Sequence, residues 1–176
     1  MSGAVVWITG LAGSGKTTLA RALAVDLEGL NCKPILLDGD SLREIFDRET
    51  SSDYSRQARL DKSLRYAKFC RLLSSQGFFV VISTISMFDE IYNWNKIHLT
   101  NYFEVYLKVP FEELKRRDKK FLYSGFEAGS VANVVGLDIK ADEPKKADLI
   151  IEYESGQTHS ALSKRLIKAL QIKGVL

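Results

Sequence analysis

Gly10-Leu11-Ala12-Gly13-Ser14-Gly15-Lys16-Thr17 fits the pattern G-x-x-x-x-G-K-[ST] at every fixed position and follows the apolar run Ala4-Val5-Val6-Trp7-Ile8. A strand that breaks into glycines and then into a helix turns consecutive backbone N–H groups inward on an anion. The helix, opening at Gly15 or Lys16, adds the positive end of its dipole. In such a loop Lys16 reaches the outer phosphates and Thr17 ligates Mg²⁺. Thr18, Leu19, Ala20, Ala22, Leu23 and Leu27 continue at helical spacing, so the loop opens a helix with an apolar face. The plain alternative, a glycine-rich turn that only packs a helix on a sheet, is disfavoured by this context.

With 176 residues, 45% of them hydrophobic and 27% charged, the chain suits one globular domain spanning residues 1–176. A net charge of +3 gives no argument for nucleic acid. Cys32 and Cys70 stand apart, without C-x-x-C spacing or nearby histidines, and are expected to be reduced and buried. No apolar run approaches the roughly 20 residues of a membrane span. The first strand starts almost at the N-terminus, leaving no room for a signal peptide, so a cytoplasmic protein is expected.

Apolar runs alternate with amphipathic stretches: strands at 4–8, 34–37, 78–83, 103–109 and 148–151, helices at 16–27, 56–76, 89–98, 111–117 and 160–172. Near-continuously apolar strands separated by helices imply a five-stranded parallel sheet covered on both faces, an α/β doubly wound domain. Ligands in such folds gather at the carboxyl ends of the strands. Two stretches resist regular assignment, 47–55 and 119–146, and the longer one reads as a lid.

The second strand runs into Leu37-Asp38-Gly39-Asp40-Ser41-Leu42-Arg43, which places two carboxylates and an arginine at that edge. Phosphoryl transfer needs a group that orients the attacking hydroxyl and accepts its proton, and Asp38 or Asp40 is placed for that or for a water-mediated contact with Mg²⁺. Arg43 could clamp an anionic acceptor. The bland reading is an Asp-Gly turn with Asp40 or Ser41 capping a helix.

Taken in order, GLAGSGKTTLA, LLDGD with its following arginine, the strand ending in Ile85-Ser86, Arg117-Asp118-Lys119-Lys120-Phe121-Leu122-Tyr123, Val135-Gly136-Leu137-Asp138 and Glu143-Pro144 resemble adenylylsulfate (APS) kinase over nearly the whole chain. The resemblance implies the P-loop NTPase fold, a homodimer, and transfer of phosphate from MgATP to the ribose 3′-hydroxyl of adenylyl sulfate. It makes Asp38 the carboxylate facing that hydroxyl and Asp40 its partner near Mg²⁺. It makes Arg43 and Arg59 the holders of the phosphosulfate, and Ile85 with Ser86 a backbone contact to the acceptor. Lys120 resembles the lysine of an R-D-P-K-G lid segment, and Arg117 the arginine that packs on the ATP adenine.

The chain departs from the family pattern around the acceptor. I-S-P-Y-R reads Ile85-Ser86-Met87-Phe88-Asp89, an acceptor-contacting asparagine is replaced by Lys62, and an aromatic that would cover one face of the acceptor's adenine is Val134. Its opposite aromatic survives as Tyr54. Losing half of an aromatic sandwich weakens stacking by about 1–3 kcal/mol. The resemblance makes adenylyl sulfate the leading acceptor; these departures make the cytidine diphosphoramidate of bacterial capsule assembly the alternative, since a pyrimidine needs less stacking area. A regulatory nucleotide-sensing module is a further alternative, but the strand Phe79-Val80-Val81-Ile82-Ser83-Thr84 carries no acid where such switches need one. Trp7 and Trp94 read as packing residues, His98 and His159 receive no role, and Lys145-Lys146 read as surface. Arg116-Arg117 and Lys119-Lys120 read as phosphate contacts at the entrance of the lid, or else as a solvated basic face.

Overall fold

The computed structural model describes residues 3–46, 53–118 and 121–176. Along the chain run β1 (Ala4–Thr9), α1 (Lys16–Gly29), β2 (Ile35–Asp38), α2 (Gly39–Phe46), α3 (Arg56–Ser75), β3 (Phe79–Ser83), α4 (Asp89–His98), β4 (Tyr102–Lys108), α5 (Phe111–Arg117), α6 (Leu122–Glu127), β5 (Leu149–Glu152) and α7 (His159–Ile172). The strands form one parallel sheet in the order β2-β3-β1-β4-β5.

The apolar monotony of β1 has a direct cause. It is the central strand, with Val6 opposite Val81 on one side and Phe103 on the other, and every residue from Ala4 to Ile8 is buried. Its alternate side chains serve two layers. Ala4, Val6 and Ile8 meet Leu19, Leu23 and Leu27 of α1 with Leu162, Leu166 and Leu170 of α7; Val5 and Trp7 meet Tyr66, Ala67 and Cys70 of α3 with Ile91 of α4. Because β1 continues to β3 on one side and neighbours β4 on the other, strand order reverses at its carboxyl end, which opens the crevice where the 10–17 loop sits.

Caps fix the long helices. Ser55 Oγ accepts from the Ala58 N–H at the start of α3, and Thr158 Oγ1 from the Ala161 N–H at the start of α7. The expected elements are present to within a few residues, and two short helices add to them. One is α2: the helix begins at Gly39, with Asp38 Oδ1 accepting from the Asp40 N–H at 2.9 Å and Leu42 sealing the helix onto the core, so the bland alternative of a cap at Asp40 or Ser41 is not what starts it. The other is α6, inside the stretch read as an irregular lid, followed by an isolated Val135–Ile139 bridge. Cys32 and Cys70 are free and buried, as expected, and burial pushes both thiols up. Trp7 is fully buried, and Trp94 stacks on His98 with centroids 4.4 Å apart. Among the described residues no helix is long and apolar enough to cross a membrane.

Behind the sheet lies one unusual charge. Glu104, opposite Trp7 in the β1–β4 register, is fully buried, and Lys96 Nζ lies 3.1 Å from its Oε2. Neither Glu104 oxygen, nor Asn95 Oδ1, nor Trp7 Nε1 makes a hydrogen bond among the described residues. Desolvation by burial raises the Glu104 pKa, outweighing the attraction of Lys96. A raised folded-state pKa stabilises the fold fully below the unfolded value and loses that contribution as pH rises through the folded one. Glu104→Gln is expected to gain stability relative to the parent as pH rises from 5 to 8, because the amide has no charge to desolvate as the carboxyl ionises. Urea denaturation at both pH values checks this, and a gap that does not change with pH refutes it.

Candidate active site

The loop from Gly10 to Thr17 joins β1 to α1. Gly15, the N-cap of α1, has φ +98°, and a Cβ there would lie 2.7 Å from His159 Nε2, so both conformation and space demand glycine. The loop is braced internally by Ser14 N–H on the Leu11 carbonyl at 3.2 Å, and Lys16 Nζ donates to the same carbonyl at 2.7 Å. Burial pushes the Lys16 ammonium down to about 8, against the pull of Asp38 and Asp40. Thr18 is exposed in the first turn of α1.

Asp38 closes the end of β2 against this loop. Its Oδ2 accepts from Thr17 Oγ1 at 2.7 Å and from Ser83 Oγ at 2.8 Å, while Oδ1 takes the Asp40 N–H. Burial works against ionisation of this carboxyl. The three hydrogen bonds and the charge of Arg21 outweigh it and hold the pKa below the ordinary value. Asp40, one helical turn before Arg43, pairs with it at 3.2 Å on the exposed side of α2. Of the two carboxylates, Asp38 is the one that meets Thr17.

Across the crevice, α3 presents cations around one ring. The Arg59 guanidinium carbon lies 5.7 Å and Lys62 Nζ 5.8 Å from the centroid of Tyr54, which is 47% exposed. Arg59 Nε donates to the Tyr54 carbonyl at 3.0 Å, and Nη2 to the Asn133 carbonyl at 2.6 Å. Desolvation lowers the Arg59 pKa, and the charge of Arg43 lowers it further. Beside them Ile85 is half-buried, and Ser86, at φ +31°, has its Oγ 2.8 Å from Ser63 Oγ and from Thr84 Oγ1. The Ser86 hydroxyl is thereby committed inward, and the Ile85 and Ser86 carbonyls accept from Thr9 Oγ1 and the Phe88 N–H. Lys120 lies outside the described residues.

The segment after α5 leans on the phosphate loop at three places. Arg117 Nη1 donates to the Gly13 carbonyl at 3.0 Å, with its guanidinium 5.1 Å from the Tyr153 ring centroid. Tyr123 Oη donates to the Ala12 carbonyl at 2.8 Å. Gly136, at φ +94°, sits so close to Leu11 that a Cβ would lie 2.8 Å from the leucine's Cδ2.

Residues 2–152 match the family model described as adenylylsulphate kinase. The chain belongs to the adenylylsulphate kinase family. Among curated relatives it is 43% identical over 168 residues, 96% of either chain, to the cytidine diphosphoramidate kinase of Campylobacter jejuni. It is 34% identical over 170 residues, 96% of this chain and 85% of the relative, to the adenylyl-sulfate kinase of Pseudomonas aeruginosa. Among solved structures, the Mycobacterium tuberculosis APS kinase in complex with AMPPNP and APS superposes with TM-score 0.88 at 28% identity, covering 97% of this chain and 98% of that one. The molecule is accordingly an ATP-dependent phosphotransferase with nucleotide substrates, and the expectation of a P-loop NTPase fold is met.

For this adenylylsulphate kinase family member, sequence reasoning missed Tyr123, Tyr153, Ser83 and His159. Tyr123 stood inside the quoted lid motif without a role. Ser83 was weighed only as a missing acid, whereas its hydroxyl completes the Asp38 shell. Tyr153 and His159 carried no local signal, because both reach the phosphate loop only through the fold.

The buried Lys16 gives donor binding a pH dependence of known sign. Below about pH 8 the ammonium is charged and suits phosphate; above it the neutral amine does not. ADP affinity, titrated without an acceptor, is expected to fall between pH 7 and 9. Lys16→Ala is expected to abolish that slope and to lower kcat at least about 10²-fold, the scale of one preorganised charge; an unchanged slope in the variant would assign the titration to another group.

Proposed function

We propose that this protein transfers the γ-phosphoryl group of ATP to the ribose 3′-hydroxyl of cytidine diphosphoramidate. The observation that carries the choice of acceptor is the wall built from Tyr54 and residues 133–139. One ring stands among the cations Arg59 and Lys62, and the facing loop, tied to Arg59 through the Asn133 carbonyl, brings a buried Val134 and no aromatic side chain. A base there stacks on a single ring, which favours a pyrimidine over a purine. The 43% identity to a cytidine diphosphoramidate kinase supports the same order, which reverses the ranking that the motifs alone imply. Adenylyl sulfate is the second reading, supported by the arginines Arg43 and Arg59, the charge of the first acting on the second, and by the 34% identity to an adenylyl-sulfate kinase.

In this reading the acceptor oxygen attacks the γ-phosphorus, the bond to the β,γ-bridging oxygen breaks, and the hydroxyl proton passes to a carboxylate. Asp40 is the acceptor of that proton. Asp38, with its oxygens engaged by Thr17, Ser83 and the Asp40 N–H and its pKa held down, is a poor base and a good partner for a cation. Thr17 and Asp38 form an oxygen donor pair that suits a hard divalent cation, and bound Mg²⁺ would neutralise charge on the outer phosphates. Arg43, Arg59 and Lys62 grip the diphosphoramidate arm, Ile85 and Ser86 offer main-chain groups, and Arg117 packs against the donor base. The homodimer implied by the resemblance and a cytoplasmic location belong to this reading, and sedimentation measures the first.

ATP consumption with cytidine diphosphoramidate and with adenylyl sulfate at matched concentrations tests the acceptor. The cytidine compound is expected to be favoured by about tenfold or more in kcat/KM, the equivalent of the lost stacking; a preference for adenylyl sulfate returns the assignment to the second reading. For the carboxylates, Asp40→Asn is expected to lower kcat about 10²-fold at saturating Mg²⁺. Asp38→Asn instead raises the Mg²⁺ concentration needed for half-maximal rate. The opposite split would restore Asp38 as the base.

A further inference from the structure

The loop that begins at Asn133 ends at Asp142, where every polar group of one residue is engaged. The Asp142 N–H donates to the Met87 carbonyl and its carbonyl accepts from Tyr92 Oη, each at 3.0 Å. The carboxylate, on a side chain only 11% exposed, lies at the start of α4: Oδ2 takes the Asp89 N–H at 3.4 Å and Arg56 Nη2 at 3.1 Å. Lys140 Nζ also lies 3.3 Å from Oδ1, but it belongs to the same loop and ties it to nothing else.

Arg56 is the first residue of α3. Its Nη1 and Nη2 donate to the two oxygens of Glu90 at 3.0 Å each, and its guanidinium carbon lies 5.1 Å from the ring centroid of the buried Phe88. A fork on one carboxylate fixes the orientation of a guanidinium as well as its distance, so Arg56 is set by α4 before it reaches Asp142. Arg59 stands three positions on, along the same helix face, and donates to the Asn133 carbonyl at 2.6 Å. Two arginines of one helix turn therefore grip the stretch 133–142 at either end. Glu90 and Asp142 share the nitrogen Nη2, so loss of Arg56 deletes two ties and leaves two carboxylates side by side, one of them little exposed. Like charges repel, and the one carried by the loop has less to hold it.

We propose that Arg56 is a positioning residue for the acceptor: through Asp142 it sets how far residues 133–139 stand from Tyr54, and with that how firmly the nucleotide is gripped. This rests on the crevice between Tyr54 and that loop being the acceptor site, and it is the same for either nucleotide.

Arg56→Met keeps an apolar stem over Phe88 without the charge, and the double variant Arg56→Met with Glu90→Gln also removes the repulsion. In the single variant KM for the acceptor is expected to rise at least about fivefold, the scale of a well-formed ion-pair network, with kcat and ADP affinity within about twofold of the parent. The double variant is expected to recover part of that loss, which missing packing alone would not allow. Amide hydrogen exchange across 133–142 is expected to quicken in Arg56→Met while that of α1 is unchanged. Unchanged KM or unchanged exchange overturns the proposal, as does an equal loss of ADP affinity or a double variant no better than the single one. If the parent phosphorylates neither nucleotide, the acceptor reading fails and the exchange decides the role of Arg56 alone.

Discussion

The Asp38 carboxylate ties together three elements, α1, β3 and α2. Thr17 of α1 and Ser83 of β3 donate to one oxygen and the first turn of α2 donates to the other. A partly buried charge is costly unless hydrogen bonds satisfy it, and bonds to an ionised acceptor are roughly twice as strong as neutral ones. The arrangement therefore has a single low-energy geometry, and that geometry sets the separation between the loop that binds the donor and the helix that carries Asp40 and Arg43. Registration of the two reactants is thus a property of one side chain at the end of β2, and the long segments around it adjust to that position.

The donor half and the acceptor half are built on different physical terms. The donor loop is held by main-chain bonds, by Tyr123 and the Arg117 guanidinium on its carbonyls and by the close approach of Gly136 to Leu11, contacts in which each cation meets a main-chain oxygen. The acceptor half is mostly charge: Arg43, Arg59 and Lys62 lie near one another with Asp40 paired to the first.

How far this could be read from the chain differs between the halves. The 10–17 loop is legible because phosphate binding needs consecutive residues at fixed spacing, and the sheet is legible because central parallel strands must be apolar on both faces. Asp38 and Asp40 are recognisable as a pair, yet which of them meets Thr17 depends on where α2 starts, a matter of a single N–H on a single oxygen. Helix α6 is too short for periodicity to reveal. Ser83 and His159 act across separations of 45 and more positions in the chain, so no local pattern contains them. Tertiary contact, which is what makes them functional, is also what hides them.

The tie between Arg59 and the carbonyl of Asn133 has a bearing on how such a scaffold changes over time. A main-chain oxygen is supplied by whatever residue occupies the position, so the anchor survives substitution of the loop it holds. Gly136, pressed against Leu11, and Asp138, bonded to two N–H groups, hold the rest of the loop, so it is the side chain at 134 that can change while the backbone stays in place, and the wall of the crevice can diverge between descendants of one ancestor without a folding crisis in between.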